Sequence, residues 1–533
     1  MPGASAMRAP GVTAGPAWWQ RGAIYQIYPR SFADSDGDGV GDLPGITSRL
    51  EHLAELGAEA IWLSPFYRSP MADFGYDVAD YLDVDPAFGT LGDFDRLLEN
   101  AHARSIRVVV DWVPNHSSDR HAWFVESRAS RDSPRRDWYV WHDGDGNGGP
   151  PNDWMSEFPA VGRAWSFDDA TEQWYLHSFM AEQPDLNWDN PEVEAAMHDT
   201  LRFWLERGVD GFRVDALQRL AHDPLLRPNA GAARRHDQDW DTMHDRLRGI
   251  RRVAEEYEDR MLVGEVALQD MHRVVSFLNN GDQLHLAHNF VFCELEWDAD
   301  AFRVSIDDFE ALASDRAWPA WFLENHDRPR AASRFDDGSG QGPARARATL
   351  LMLYALRGTP FVYQGEELGL PDAEIPPDRV VDVDGRDPER APIPWRPPSA
   401  VGPGAGFTTG EPWLPLVGDA ESMNAETQAG DLRSTLALTR RVAAVRGATP
   451  ALQTGEQVVL DGGDDLLAWV REQDGDRLLA VVNFAAAPVP ADLGAGLPAA
   501  ATLLLSTDPD RADGAVDLGG LVLAAGEGVL LRL

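Results

Sequence analysis

Three carboxylates close three short apolar runs. Asp215 ends "GFRVD", Glu265 sits at the end of "MLVGEV", and Asp327 ends "FLENHD". Arg213 stands two residues before Asp215, so on an extended strand both side chains face the same way. Another run, "RVVVDWVPNH", supplies Asp111, Asn115 and His116, and His326 immediately precedes Asp327. If these run-ends meet, carboxylates, two histidines and an arginine converge. Glycoside hydrolysis uses such a set. One carboxylate attacks the anomeric carbon, and a second, protonated, gives its proton to the leaving oxygen. Nearby negative charge favours the cationic transition state. An arginine beside the attacking group favours its charged form. Each of these residues alone reads equally well as a loop cap or a satisfied polar group; their order along one chain gives them weight.

The elements that must position them follow a rhythm. Apolar runs at 23–29, 60–65, 107–113, 211–216, 261–266, 284–290, 318–327 and 359–367 alternate with amphipathic segments such as "ITSRLEHLAELG" and "PEVEAAMHDTLRFWLERG". In these segments apolar residues recur three and four apart. Eight strand–helix units predict an α/β fold, a closed (β/α)8 TIM barrel, with active-site groups at the C-terminal strand ends. An open doubly wound sheet is the rival, and no GxGxxG follows the first run. Residues 18–116 and 189–450 are assigned to the barrel. Residues 117–188 are too long for a plain loop and predict an inserted subdomain B after strand 3. Residues 370–430 are irregular. Short β-like runs from 451 to 533 predict a C-terminal antiparallel β-sandwich domain. Residues 1–17, rich in Gly, Ala and Pro, are expected to be a flexible N-terminus.

Composition excludes several classes. The 533 residues hold 47 Lys+Arg and 87 Asp+Glu, a formal charge of −40, with pI about 4.6. Every basic residue of the Lys/Arg class is Arg. An acidic surface does not suit nucleic acid or anionic lipid. One cysteine, Cys293, allows no internal disulfide. No run has the length of a membrane span or of a signal-peptide core. The expectation is a cytoplasmic protein, a monomer or homodimer, with no nucleic-acid or membrane partner. His285 and His288 in "LHLAH" match no motif and read as structural.

"DWVPNH", "GFRVD", "VGEV" and "ENHD", in this order, resemble the four signature regions of the α-amylase superfamily of glycoside hydrolases (family 13). "QPDLNW" at 183–188 is similar to a fifth region in the oligo-1,6-glucosidase and α-glucosidase branch. The resemblance covers essentially the whole chain from Trp18. It implies Asp215 as nucleophile, Glu265 as general acid/base and Asp327 as transition-state stabiliser. His116 and His326 would bond sugar hydroxyls, and Arg213 would orient Asp215. It further implies that Asp73 in "DFGY" pairs with Arg390 in "GRDPERAPIPW" to cap the non-reducing glucose, that Tyr76 stacks on that ring, and that Phe158 and Phe179 line the pocket. The expected substrate is a small neutral α-glucoside of the maltose type, with sucrose as a second candidate. Ala216 after the nucleophile replaces the Val that goes with α-1,6 preference in this branch. Competing readings on the same scaffold are a trehalose synthase, a sucrose- or maltose-isomerising or transglucosylating enzyme, and an oligo-1,6-glucosidase. A non-catalytic, membrane-anchored barrel relative would lack part of the catalytic set.

"DSDGDGVGDL" at 34–43 sets Asp34, Asp36, Asp38 and Asp42 among glycines, with the Val40 carbonyl between them. Such crowding of like charge suggests a cation. An EF-hand reading fails at its twelfth position, which is Gly45 where a bidentate Glu belongs. The resemblance implies a structural Ca2+ between strand 1 and helix 1, with Mg2+ the weaker candidate. The alternative is a solvated acidic turn.

Overall fold

The structure, a computed structural model, describes residues 15–494 and 496–533. The N-terminus expected to be flexible, residues 1–17, lies outside the described residues as far as residue 14. Eight parallel strands close a barrel in chain order. They are β1 (Ala23–Ile27), β2 (Ala58–Leu63), β3 (Arg107–Trp112), β4 (Gly211–Val214), β5 (Met261–Val266), β6 (Leu286–Asn289), β7 (Ala320–Trp321) and β8 (Thr359–Tyr363). Closure is made by β1 on β8, with Ile24 opposite Phe361 and Gln26 opposite Tyr363.

Strand alternation divides the apolar residues between two cores. Ile24, Ala60, Trp62, Val109, Val263 and Phe361 fill the barrel interior. Their neighbours Tyr25, Ile61, Leu63, Val108, Val110 and Leu262 pack outward in the larger core that the helices cover. Because both faces are buried, the strands read as continuous apolar runs. Helix ends follow local chemistry. Leu91–Ala103 begins with a reciprocal Thr90–Asp93 capping box. Pro191–Arg207 is N-capped by Asn190 and ends at Gly208, whose φ of 103° suits only a residue without Cβ.

The run expected as strand 7 over 318–327 forms only two residues of strand. Beyond Trp321 the backbone leaves the barrel, and Asn325 Oδ1 accepts the Asp327 N–H at 2.8 Å. The run is apolar because it is buried, not because it is paired. Between β3 and the helix Pro191–Arg207, a three-stranded antiparallel sheet forms with Gln173–Leu176 in its centre. A small core of Trp154, Ala164, Trp165 and Leu176 supports it. The segment returns to the barrel mouth through the Leu186 N–H, which donates to the Asn115 carbonyl at 2.9 Å.

The C-terminal region is a six-stranded antiparallel sheet with a thinner second layer, the pair Val489–Pro490 and Val522–Leu523. Trp469 and Arg471 on its inner face donate to the Ala355 carbonyl at 3.2 and 3.0 Å, fixing the sheet against the barrel helix Gly342–Ala355. Among the described residues no helix is long and apolar enough to cross a membrane.

Candidate active site

The C-terminal ends of the strands deliver the carboxylates to one place. Register explains it: Asp111 on β3 lies opposite Arg213 on β4, and Arg213 lies opposite Val263, two residues before Glu265 on β5. The Arg213 guanidinium is buried and holds all three neighbours. Its Nη1 donates to Asp111 Oδ1 at 2.8 Å and to Asp215 Oδ1 at 2.6 Å. Its Nη2 lies 3.0 Å from Glu265 Oε2. The Ala216 N–H donates to the same Glu265 oxygen at 2.7 Å. Ala216 adopts φ 43° and ψ 37°, a left-handed conformation that turns the chain sharply after Asp215. Small residues bear that conformation at least cost, and β-branched ones bear it worst.

Burial pushes the Asp215 carboxyl well above the usual range, with Glu265 and Asp111 adding to the rise and Arg213 opposing it. Burial likewise raises Asp111, to about 6, against the pull of Arg213. One guanidinium facing three carboxylates offsets only part of this, so Asp215 and Asp111 retain protons more readily than free carboxylates do.

Asp327 lies across from this set in a different field. Burial would raise it, but His326, Arg386 and Arg390 together hold its carboxyl well below the usual range. His326 is stacked on Tyr76, the rings parallel within 2° at 5.4 Å. Gln26 Nε2–H donates to His326 Nδ1 at 2.8 Å, which leaves Nε2–H facing Tyr76 Oη at 2.6 Å and Asp327 Oδ2 at 3.0 Å. Tyr76 Oη also donates to Asp111 Oδ2 at 3.1 Å. Burial lowers His326 and His116 to about 3 each, so both are neutral hydrogen-bonding groups. His116 Nε2–H donates to the Tyr76 carbonyl at 3.2 Å, beside Phe179 at 5.1 Å between rings.

The partner of Asp73 differs from the expected one. Arg386, not Arg390, donates to Asp73 Oδ1, through Nη2 at 2.8 Å. The same guanidinium reaches Asp327 Oδ1 at 2.9 Å and Asp382 Oδ1 at 2.7 Å. Arg390 instead donates Nε–H to the His326 carbonyl at 2.7 Å and Nη2 to Asp327 Oδ1 at 2.9 Å, behind the site. Both arginines sit in a loop without regular structure, where a four-residue spacing does not say which one reaches forward. Gln183, also absent from the expected set, donates to Asp73 Oδ2 at 3.0 Å. Its signal was present in "QPDLNW".

These groups line a pocket of about 350 Å3, with Asp73, Tyr76, His116, Phe158, Phe179, Asp215, Glu265, Asp327 and Arg386 on its walls. Phe158 packs edge-on against Phe179 at 5.6 Å and lies 4.8 Å beneath the Arg386 guanidinium. Arg213 and Arg390 are too deep to touch its contents. His285 and His288 lie outside it, with His288 packed among Trp62, Phe322 and Phe361 inside the barrel.

In the acidic loop, Asp34, Asp36 and Asp42 each bring one carboxylate oxygen within 4.8 Å of the others. Asp38 is not in that group; its Oδ1 accepts the Val40 N–H at 2.8 Å. The gathered donors are hard oxygens of the kind that suit Ca2+. Asp34 also accepts N–H groups from Asp36, Gly37 and Gly39, and Asp42 caps the following helix through Gly45 N–H at 2.6 Å.

Arg386→Met leaves Asp73 with only the neutral Gln183 and Asp382 with only the longer ion pair to Arg390, at 3.4 Å. It is expected to lower kcat/KM by roughly a hundredfold or more, with Arg386→Lys recovering only part. Activity of Arg386→Met within about threefold of wild type on any cleaved glycoside contradicts this placement.

A family model described as "Alpha amylase, catalytic domain" matches residues 26–455. A protein of Rhizobium meliloti (strain 1021) named probable alpha-glucosidase is 41% identical over 499 residues, 88% of this chain and 89% of that one. The trehalose-6-phosphate hydrolase of Escherichia coli (strain K12) is 37% identical over 512 residues, 88% of this chain and 91% of that one. Among solved structures, an alpha-glucosyl transfer enzyme, XgtA, superposes with a TM-score of 0.90 at 38% identity, over 97% of this chain and 100% of that one.

Proposed function

The chain belongs to the α-amylase family of glycoside hydrolases, and from that premise we propose an exo-acting, retaining α-glucosidase. It releases glucose from the non-reducing end of short α-1,4-glucosides of the maltose type, with sucrose as a second substrate. The observation that carries this reading is the shape of the charge. Asp215 and Glu265 share one guanidinium on one side of the pocket, and the Asp73–Arg386–Asp382 cluster closes the other side.

In this reading Asp215 attacks the anomeric carbon while Glu265 protonates the leaving oxygen; in the second step Glu265, now the carboxylate, takes a proton from water, which attacks the anomeric carbon and displaces Asp215. The shared guanidinium keeps the carboxylates close, as a covalent intermediate requires. Asp327, held ionised by its arginines, stabilises the oxocarbenium character of the transition state. Neutral His116 and His326 bond hydroxyls of the first sugar, and Tyr76 offers its face to the ring. Asp73 and Arg386 cap the far hydroxyls, so one glucose fits behind the scissile bond. The backbone at Ala216 disfavours a β-branched residue, and the methyl side chain leaves room for the α-1,4 geometry; a difference of this size shifts selectivity by about 1–3 kcal/mol. Transfer to a sugar in place of water uses the same intermediate.

A phosphorylated leaving group is the second reading, suggested by the E. coli relative's name. The pocket does not favour it. Arg328 at the rim is already engaged by Glu294 at 2.6 Å, and Arg386 by three carboxylates.

Asp34, Asp36 and Asp42, with the Val40 carbonyl, are proposed to hold a structural Ca2+. The ion would neutralise their mutual repulsion and fix the loop after β1. Chelation is expected to lower the melting temperature while folded enzyme keeps its turnover; loss of turnover at an unchanged melting curve contradicts that role.

Time-resolved product analysis on maltose, maltotriose, isomaltose and sucrose tests the function. Glucose released first as the α-anomer, fastest from maltose, is the expected result. β-Glucose, or a trehalose or sucrose isomer as main product, overturns it.

A further inference from the structure

Two carboxylates on the pocket wall, Glu157 and Asp384, have no part in the mechanism above. Glu157 comes from the segment inserted after β3, next to Phe158, and lines the same pocket as Asp215 and Glu265. It is tied to the turn that follows the nucleophile. Arg219, in the turn Leu217–Arg219, has a side chain only 1% exposed and forms an ion pair with Glu157 Oε1. Arg235 Nη2 donates to the same oxygen at 3.1 Å. Asp237 backs both arginines, at 3.1 Å from Arg219 and 2.6 Å from Arg235. Two guanidiniums therefore fix one Glu157 oxygen. Among the described residues no hydrogen bond engages the other oxygen, Oε2. Gln218, beside Arg219 and 5% exposed, lines the pocket too, and its Oε1 has no partner.

Exposure orders the pocket by depth. The side chains of Asp73 and Arg386 are 5% and 10% exposed, whereas Glu157 is 35% exposed. The first sugar takes the closed end, so Glu157 stands nearer the mouth, where the leaving group departs past Glu265. A fixed carboxylate oxygen there is a strong acceptor for hydroxyl groups and repels anions.

We propose that Glu157 is a specificity-determining residue that accepts hydroxyl hydrogen bonds from the second, leaving sugar and so selects a neutral hexose as leaving group. The inference rests on the α-glucosidase reading above. It predicts that the enzyme distinguishes leaving groups by their hydroxyls, because a site built to bond a hydroxyl rejects analogues that lack it.

The test compares kcat/KM for maltose and for p-nitrophenyl α-glucoside, whose leaving group has no sugar hydroxyl. In Glu157→Gln and Glu157→Ala the maltose-to-aryl ratio is expected to fall by about tenfold or more relative to wild type. A ratio within about twofold of wild type in a folded variant overturns the proposal, whatever the absolute rates. Wild-type enzyme gives a second arm that no folding defect can obscure. Among maltose analogues deoxygenated singly on the leaving glucose, at least one is expected to lose about tenfold or more in kcat/KM. A series flat to within about threefold overturns the role of Glu157. Cleavage of neither maltose nor the aryl glucoside by wild type overturns the α-glucosidase reading and this inference with it. Cleavage of both with an unaltered ratio overturns this inference alone.

Discussion

One guanidinium governs the site. Arg213 is buried at the barrel mouth with Asp111, Asp215 and Glu265 around it. A lone buried arginine is costly, and so are three buried carboxylates; neither set is tolerable without the other. With a single positive charge among three acids, the cluster is under-neutralised. Burial raises Asp215 and Asp111, the neighbouring carboxylates add to the rise, and the imbalance makes the pocket receptive to a developing cation. Across the pocket, Arg386 and Arg390 do the opposite for Asp327 and keep it ionised. The two halves thus sit in different fields, one short of positive charge around Arg213 and one rich in it around Asp327.

The barrel exists, for this purpose, to hold adjacent strand ends in register. Asp111, Arg213 and Glu265 sit on three neighbouring strands, and a slip of one residue would turn each side chain out of the site. The strained turn at Ala216 adds a direct tie, its N–H bonding Glu265 across the gap between β4 and β5. The inserted segment and the loop near 382–390 then close the pocket, supplying Phe158, Glu157, Asp384 and Arg386, with Asp382 holding Arg386.

Much of this was legible in the sequence, for a physical reason. Strands buried on both faces must be apolar throughout, so all eight runs stood out, and a carboxylate ending such a run is conspicuous. Strand 7 misled because burial also makes a run apolar when it is barely paired. Arg386 and Arg390 could not be told apart, since irregular backbone carries no periodicity and only the loop path decides which side chain reaches Asp73. The carboxylates of the acidic loop are legible only as a cluster: Asp34, Asp36 and Asp38 all cap backbone N–H groups of the turn, and spacing alone does not say which of them gather. Glu157 gave no signal at all, because its role depends on arginines more than 60 residues away in the chain.

The account turns on Asp215 forming a bond to the sugar. Glu265→Gln removes the acid/base but leaves the nucleophile in place, and α-glucosyl fluoride needs no acid to release its leaving group. Incubating this variant with that substrate and mapping the modified peptide by mass spectrometry tests the claim most directly. The account predicts a single added glucosyl group on Asp215. A glucosyl group on another residue, or β-glucose released with no covalent adduct, would contradict it.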